Sequence, residues 1–337
     1  MAGARIAVVG ATGAVGQEML KVLEERKFPV NNLICLADPR EAGTKVIFKG
    51  EQITVEGASP EKFAGVDIAL MAVGGEISEV LSPEAASRGA VVIDNSSAFR
   101  LRDDVPLVVP EVNPGDIKQH QGIIANPNCS TIIMVVAINP IHQVAGLKRV
   151  VVSTYQAVSG AGKAGLEELK EQIRCYVDGR PLESKVFQHQ IAFNLIPHID
   201  VWVDKDYSRE EMKLVWETRK IMHIYDLAVS PTAVRVPVFR SHSESINLQT
   251  ERKITACEAR EVLRQAPGVI VVDNPQANEY PMPWFTSNRD EVFVGRIRED
   301  ISADNGLNLW VASDQIRKGA ATNAVQIAEV VVRDNLF

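Results

Sequence analysis

The hydrophobic pattern changes character along the chain, and the change falls near residue 145. The earlier part contains short, continuously apolar runs that end at glycine or polar residues, as buried parallel strands do: residues 5–10, 33–37, 66–73 and 90–94. Beyond residue 145 the runs are longer and alternate between apolar and polar positions: residues 149–156, 232–240, 245–250, 292–298 and 307–313. This alternation predicts a largely antiparallel sheet.

Helical patterns complete the outline. A stripe of apolar positions at 15, 19, 20, 22 and 23 predicts the first helix, and Ser82-Pro83 resembles the start of another. Further helices are predicted at about 165–175, 208–222 and 256–265. We expect a last helix at 320–332 to return to the first domain. The fold class is therefore α/β, with a Rossmann-type N-terminal domain followed by an α+β domain with a mixed, largely antiparallel sheet.

A glycine-rich turn joins the first strand to the first helix. Residues 10–16 read GATGAVG. Glycine permits a tight turn and a close approach of the backbone to a pyrophosphate, whose charge the helix N-terminus favours. The spacing is GxxGxxG rather than the commoner GxGxxG, and the alternative is a turn that only packs helix on sheet. In this context we predict a dinucleotide-binding site.

The end of the second strand offers two ways to bind the ribose of such a cofactor. Arg40 suits a 2′-phosphate and therefore NADP, whereas Asp38 can accept a hydrogen bond from a free 2′-hydroxyl and so favours NAD. Both residues lie in the right place, and the sequence leaves the choice open.

Residues 127–131, which read PNCST, place Cys129 between an apolar run and a long helical segment. In the first turn of a helix, unpaired N–H groups and the dipole favour the thiolate, the nucleophilic form of cysteine. The dipole contributes only about 0.3–1 kcal/mol, so a base or a cation is also needed. His242, in a polar run after a strong strand, is the candidate base. The alternatives are a buried structural cysteine and a solvated turn histidine.

A reactive cysteine beside a nicotinamide cofactor limits the chemistry. A thiol converts an aldehyde into a thiohemiacetal that gives up a hydride, which leaves an acyl thioester. Water would release the acyl group as an acid, and inorganic phosphate would release it as an acyl phosphate.

Composition excludes several other classes of function. The chain has 337 residues and a net charge of −7, so nucleic acid is not the expected partner. No apolar run is long enough to span a membrane, and the first residues lack a signal-peptide pattern. The four cysteines are scattered without zinc spacing, so we expect no metal and a reduced, cytoplasmic enzyme.

Several motifs in one order make the chain resemble the bacterial aspartate-β-semialdehyde dehydrogenase family over nearly its whole length. Besides the glycine loop and PNCST, they are DNSSAFR at 94–100, YQAVSGAG at 155–162, EEMK at 210–213, RVPV at 235–238, SHSE at 241–244 and GAATNA at 319–324.

The resemblance implies an activity. The family reduces L-4-aspartyl phosphate with NADPH to L-aspartate 4-semialdehyde and phosphate, on the route to lysine, threonine, methionine and diaminopimelate. The implied domains are a dinucleotide-binding domain at 1–130 plus 318–337 and a catalytic and dimerisation domain at 131–317. We expect a homodimer, because a broad sheet face can pair with a second subunit.

The resemblance also implies residue roles. Cys129 is the nucleophile, His242 the acid/base and Gln156 a substrate-placing residue. Arg235 binds the α-carboxylate and Glu210 the amine, while Asn128, Arg100 and Lys213 belong to the substrate and phosphate site. The implied cofactor positions are Gly10, Thr12, Gly13, Ala14, Val15, Arg40, Ser159, Gly160 and Asn323.

Two points stay open at this stage. The family commonly has serine after the arginine that ends the second strand, but here Glu41 follows Arg40, which relaxes the expected NADP selectivity toward NAD. The substrate is open as well, since a relative acting on N-acetylglutamyl phosphate and a non-catalytic dinucleotide-binding protein share this scaffold.

Overall fold

The computed structural model describes residues 3–337, which form two compact units. One unit comprises the residues up to Cys129 together with Gly319–Phe337, and the other comprises Ser130–Lys318. The sequence-based boundaries lie within one residue of these.

The first unit is built around a six-stranded sheet in which every pairing is parallel, in the order β5-β2-β1-β6-β7-β8. Its strands are β1 (Ala4–Val9), β2 (Val30–Ala37), β5 (Glu56–Gly57), β6 (Ile68–Met71), β7 (Val91–Asp94) and β8 (Ile123–Ala125). Both faces of this sheet carry buried apolar residues, which explains the continuous apolar runs.

Three helices and a hairpin complete the first unit: α1 (Ala14–Glu25), α2 (Gly75–Ser87), α8 (Thr322–Arg333), and the pair β3 (Lys45–Phe48) and β4 (Glu51–Thr54). The expectation of a helix start at Ser82 is wrong, because α2 begins at Gly75 and continues through Pro83. The C-terminal helix α8 lies against α1 in this unit, as expected.

The strand order of the first unit defines a topological switch point. The chain runs from β1 to β2 on one side and reaches β6 on the other side of β1. Ligands bind outside the carboxyl ends of parallel strands at such a point. The glycine loop therefore occupies the position where this architecture binds a dinucleotide.

The second unit is built around a mixed sheet in the order β10-β9-β11-β14-β13-β12. Three of its pairings are antiparallel, while β10 with β9 and β12 with β13 are parallel. The prediction of a mixed, largely antiparallel sheet is confirmed. Its strands are β9 (Leu147–Ala157), β10 (Ala228–Val236), β11 (His242–Thr250), β12 (Val269–Val271), β13 (Val292–Glu299) and β14 (Gly306–Ser313).

Four helices of the second unit follow the predicted segments closely: α3 (Cys129–Ala145, which starts at the last residue of the first unit), α4 (Gly162–Val177), α5 (Arg209–Met222) and α6 (Ala256–Gln265). The short α7 (Pro283–Thr286) was not predicted. Helix α5 starts with a capping box, in which Ser208 and Glu211 satisfy each other's backbone N–H groups. Glu211 also accepts a hydrogen bond from Ala233 N at 3.0 Å, which fixes the start of α5 against β10.

Candidate active site

The glycine loop of the first unit has the geometry that a dinucleotide phosphate requires. Gly10 has a φ of +84°, and a Cβ atom there would lie 2.3 Å from the carbonyl oxygen of Ala72, so no larger residue fits. Gly13 is the N-cap of α1 and offers no side chain to the first turn. The backbone N–H groups of that turn thus fit a pyrophosphate. Of the other predicted cofactor residues here, Thr12, Ala14 and Val15 lie in the loop or the first turn of α1.

The end of β2 carries the residues predicted to contact the ribose. Arg40 follows Asp38 on a short helical turn, and its guanidinium donates to both Asp38 carboxylate oxygens at 2.8 and 2.7 Å. These hydrogen bonds, made chiefly by the Arg40 side chain, hold the pKa of Asp38 well below its ordinary value. The Arg40 side chain is 89% exposed, so it is accessible to a ligand.

A second part of the predicted site lies at the carboxyl ends of β7 and β8. Arg100 is buried, and it donates to the carbonyl oxygens of Asn126 at 2.9 Å and Asn95 at 2.7 Å. Asn323 donates to the side-chain oxygen of Asn126 at 2.7 Å. Asn126 therefore ties two predicted residues together, although sequence reasoning did not select it. The feature that could have indicated Asn126 is its position between β8 and the PNCST motif.

Cys129 is the first residue of α3 and is half-buried, as the sequence predicts for a nucleophile at a helix start. Its neighbour Asn128 is buried. Cys35 is different, since burial raises the pKa of its thiol to about 11 and it is not suited to form a thiolate.

In the second unit, strand register places the predicted substrate residues in one transverse row. Arg235 on β10 pairs with Gln156 on β9, and His242 on β11 pairs with Ser313 on β14. Ala157 links two of these residues: its carbonyl oxygen accepts from Arg235 Nη1 at 2.7 Å, and its N–H donates to His242 Nδ1 at 3.1 Å. A single backbone unit thus positions both side chains.

The hydrogen bond from the Ala157 N–H also determines the tautomer of His242. Because Nδ1 accepts the Ala157 N–H, the neutral ring carries its hydrogen on Nε2. His242 is fully buried, and Nε2 has no hydrogen-bond partner within residues 3–337. Burial, reinforced by the positive charge of Arg235 and opposed by Glu210, lowers the pKa of His242 to about 3. The alternative of a solvated turn residue is therefore wrong.

Helix α5 brings a carboxylate and an ammonium group to the same row. Glu210 accepts from Gln156 Nε2 at 3.1 Å and from Lys213 Nζ at 2.9 Å, and Lys213 also contacts Asp200 at 3.0 Å. Burial alone would lower the pKa of Lys213, but the charges of Glu210 and Asp200 raise it, so the ammonium form is maintained. Asp200 was not among the predicted residues.

The turn after β9 contributes Ser159 and Gly160. A Cβ atom on Gly160 would lie 2.6 Å from Arg235 Nη1 and 3.4 Å from His242 Cε1, so a side chain there would displace Arg235 or His242. Gln315 bridges this turn to β11, since its Nε2 bonds the Ser159 hydroxyl and its Oε1 accepts from Ser241 N at 2.8 Å. Gln315 was not predicted from the sequence. The one feature that could have indicated it is its position just after β14.

Comparison with known proteins gives the family. A model described as "Semialdehyde dehydrogenase, NAD binding domain" matches residues 5–120, and one described as "Semialdehyde dehydrogenase, dimerisation domain" matches residues 138–318. An aspartate-semialdehyde dehydrogenase of Aquifex aeolicus is 58% identical over 99% of this chain and 100% of its own length. The chain belongs to the aspartate-semialdehyde dehydrogenase family.

Other members of the aspartate-semialdehyde dehydrogenase family agree in sequence and fold. The Bacillus subtilis protein is 52% identical over 99% of both chains. A crystal structure of aspartate semialdehyde dehydrogenase II from Vibrio cholerae, complexed with ASA, is 48% identical and has a TM-score of 0.96. It covers 98% of this chain and 99% of its own. The resemblance found in the sequence is therefore confirmed, as is the assignment of a nicotinamide-dinucleotide-binding domain.

Within residues 3–337, no helix is long and apolar enough to cross a membrane, and no group of His, Cys, Asp and Glu side chains is arranged to hold a metal ion.

Proposed function

We propose that this enzyme catalyses the reversible, NADP-dependent reduction of L-4-aspartyl phosphate to L-aspartate 4-semialdehyde and phosphate, through a thioester on Cys129. The observation that supports this choice of substrate is the row formed by Arg235, Gln156, His242 and Glu210. An α-amino acid needs a cation for its carboxylate and an anion for its ammonium group, and Arg235 and Glu210 provide one of each.

The chemical steps follow from these roles. The Cys129 thiolate attacks the acyl carbon, the C–O bond to phosphate breaks, and the leaving phosphate takes up a proton. A nicotinamide cofactor, when bound, would supply the hydride for reduction of the thioester carbonyl. The resulting oxyanion accepts a hydrogen bond from the acid/base residue His242 through Nε2–H, and its collapse releases the aldehyde and regenerates the thiolate. One hydride and one proton are consumed in each cycle.

The remaining assignments follow the same division. We assign Arg100 and Lys213 to the phosphate group, because an anionic leaving group is stabilised by fixed cations. Asn128 and Gln156 orient the substrate. The phosphates and nicotinamide of the cofactor are assigned to Gly10, Thr12, Gly13, Ala14, Val15, Ser159, Gly160 and Asn323, and its ribose to Arg40. NADP is the proposed cofactor, and NAD is a second candidate for the same site.

An N-acylated substrate fits this arrangement poorly. Acylation removes the positive charge of the amine, so the buried carboxylate of Glu210 would lose its ligand partner. We therefore favour the free amino acid over N-acetylglutamyl phosphate. The assembly that we propose is a cytoplasmic homodimer.

The test is phosphate-dependent reduction of NADP and NAD with aspartate semialdehyde as substrate. Wild type should turn over only when phosphate is present, and Cys129→Ala should lower turnover about 10³-fold or more. The exposed Cys257 provides the matched control, and Cys257→Ala should keep full activity. Equal turnover in wild type and Cys129→Ala would reject the mechanism, and a preference for N-acetylglutamate semialdehyde would reject the substrate.

A further inference from the structure

The segment that ends β2 contains more negative than positive charge. It presents Asp38, Arg40 and Glu41 within four residues. Arg40 is engaged by Asp38 through three hydrogen bonds, from its backbone N–H at 2.9 Å and from its guanidinium at 2.8 and 2.7 Å. The Asp38–Arg40 pair is neutral, so the carboxylate of Glu41 leaves the segment with a net negative charge.

Glu41 does not point away from the cofactor loop. Its Oε2 accepts a hydrogen bond from the hydroxyl of Thr12 at 2.9 Å, so the carboxylate spans from the end of β2 to the glycine loop. Its backbone is also fixed, because Glu41 N donates to Asp38 O at 2.8 Å and Glu41 O accepts from the Thr44 hydroxyl at 2.6 Å. A carboxylate is therefore held between the two segments that flank the ribose position of a Rossmann domain.

The two candidate cofactors differ only at this position. NADP carries a 2′-phosphate with a charge of about −1.5 to −2 at neutral pH. Asp38 already neutralises Arg40 and engages part of its guanidinium, and Glu41 adds a second carboxylate that repels the phosphate. NAD carries a 2′-hydroxyl, which can donate a hydrogen bond to either carboxylate. The hydrogen bonds that lower the pKa of Asp38 keep it ionised, and so an acceptor, at neutral pH.

We propose that Asp38 and Glu41 are specificity-determining residues that let the ribose subsite bind NAD about as well as NADP. This inference rests on the proposed function for the reaction in which the cofactor is used. It assigns the discrimination to two carboxylates of this chain, one that neutralises Arg40 and one that is held between the end of β2 and the glycine loop.

The exposure of the pair sets the size of the effect. Because the Arg40 side chain is 89% exposed, solvent and salt screen its charge interactions. We expect the ratio of kcat/KM for NADP to that for NAD to lie within about tenfold of one in wild type, since tenfold corresponds to only about 1.4 kcal/mol. The ratio should rise with ionic strength, because salt weakens the repulsion between the phosphate and Glu41.

The variants are chosen to remove charge and keep shape. Glu41→Gln removes the free carboxylate, and Asp38→Asn keeps an oxygen to accept the Arg40 N–H while releasing the guanidinium. Glu51→Gln, at an exposed position on β4 of the same unit, makes the same change in net charge and is the control. Glu41→Gln and Asp38→Asn should each raise the NADP/NAD ratio about tenfold, and Glu51→Gln should leave it unchanged.

Binding of half-cofactors gives a readout without turnover. Calorimetric dissociation constants for adenosine 2′,5′-bisphosphate and 5′-AMP should be similar in wild type and should diverge in favour of the bisphosphate in Glu41→Gln. A wild-type preference for the bisphosphate above about 100-fold, unchanged in both variants, would overturn the inference. The expected binding pattern without any turnover would support the inference and reject the proposed reaction.

Discussion

At the scale of single residues, Glu244 is a carboxyl group in surroundings that change its ordinary chemistry. It lies on β11 two residues after His242, and it pairs with Thr154 on β9 and Val311 on β14. It is fully buried, and neither carboxylate oxygen has a hydrogen-bond partner within residues 3–337. Burial raises its pKa well above the ordinary value, so the side chain is a neutral acid on the same face of β11 as His242.

A neutral buried acid makes stability depend on pH. The unfolded chain loses this proton as pH rises above about 4.5, whereas the folded chain keeps it, so Glu244 progressively disfavours folding at higher pH. Glu244→Gln removes this titration. The free energy of unfolding of Glu244→Gln minus that of wild type should therefore be larger at pH 8 than at pH 4.5, by at most about 1.4 kcal/mol for each pH unit. Urea unfolding of wild type, Glu244→Gln and the exposed Glu51→Gln at both pH values measures this difference. An effect of Glu244→Gln on stability that is the same at pH 4.5 and pH 8 would contradict the prediction.

The sequence supplied candidate residues for the site but not the groups that position them. Cys129 and His242 were selected from their chemistry and their place in the sequence, whereas the roles of Arg235 and Glu210 came from the resemblance to the family. The groups that position these residues were not predicted. Examples are the backbone of Ala157 and the side-chain amide of Gln315, and no local sequence motif identifies either. Such partners depend on strand register, which brings distant residues together.

At the scale of elements, patterning predicted most strands of both sheets and most helices. The two short edge strands β5 and β12 were not predicted, because runs of two and three residues are too short to show a pattern. Ser82-Pro83 has the features of a helix start, yet the helix begins earlier because Ser78, Leu81 and Ala85 bury one side of α2. The β3–β4 hairpin was missed because its turn is Lys49-Gly50 rather than Asn-Gly. Both residues nevertheless have positive φ values, 51° and 79°, as such a turn requires.

Strand direction was the least predictable feature of the second sheet. Alternating polarity indicates one covered and one open face but does not determine whether neighbours run parallel. The parallel pairing of β10 with β9 puts Arg235 beside Gln156. The proposed substrate row therefore depends on a pairing that the sequence pattern alone did not predict.

At the scale of the whole molecule, the sheet of the second unit presents one face that its own helices leave partly open. Val151, Tyr155, Val234 and Trp310 on this face are half-buried, and the rings of Tyr155 and Trp310 lie 5.5 Å apart. The matching family model is described as a dimerisation domain. This face is a suitable surface for a second copy of the chain.

A charge placed on that face should weaken the proposed dimer. Val151→Arg should convert the dimer to a monomer at micromolar concentration, because an unpaired cation cannot be buried in an interface without a large cost. Ile47→Arg, at an exposed position on β3 of the first unit, is the matched control and should remain dimeric. Light scattering during gel filtration gives the mass directly. A monomeric wild type would contradict the assignment, and a dimeric Val151→Arg would place the interface elsewhere.

The most direct test of the central claim is to trap the acyl group on its sulfur. Enzyme incubated with aspartate semialdehyde and oxidised cofactor, without phosphate, should gain the mass of one aspartyl group on the peptide that contains Cys129, because phosphate is needed to release it. Added phosphate should remove the adduct, and Cys129→Ala should never form it. An active enzyme that carries no adduct at Cys129, or carries it on Cys35, Cys175 or Cys257, would contradict the account.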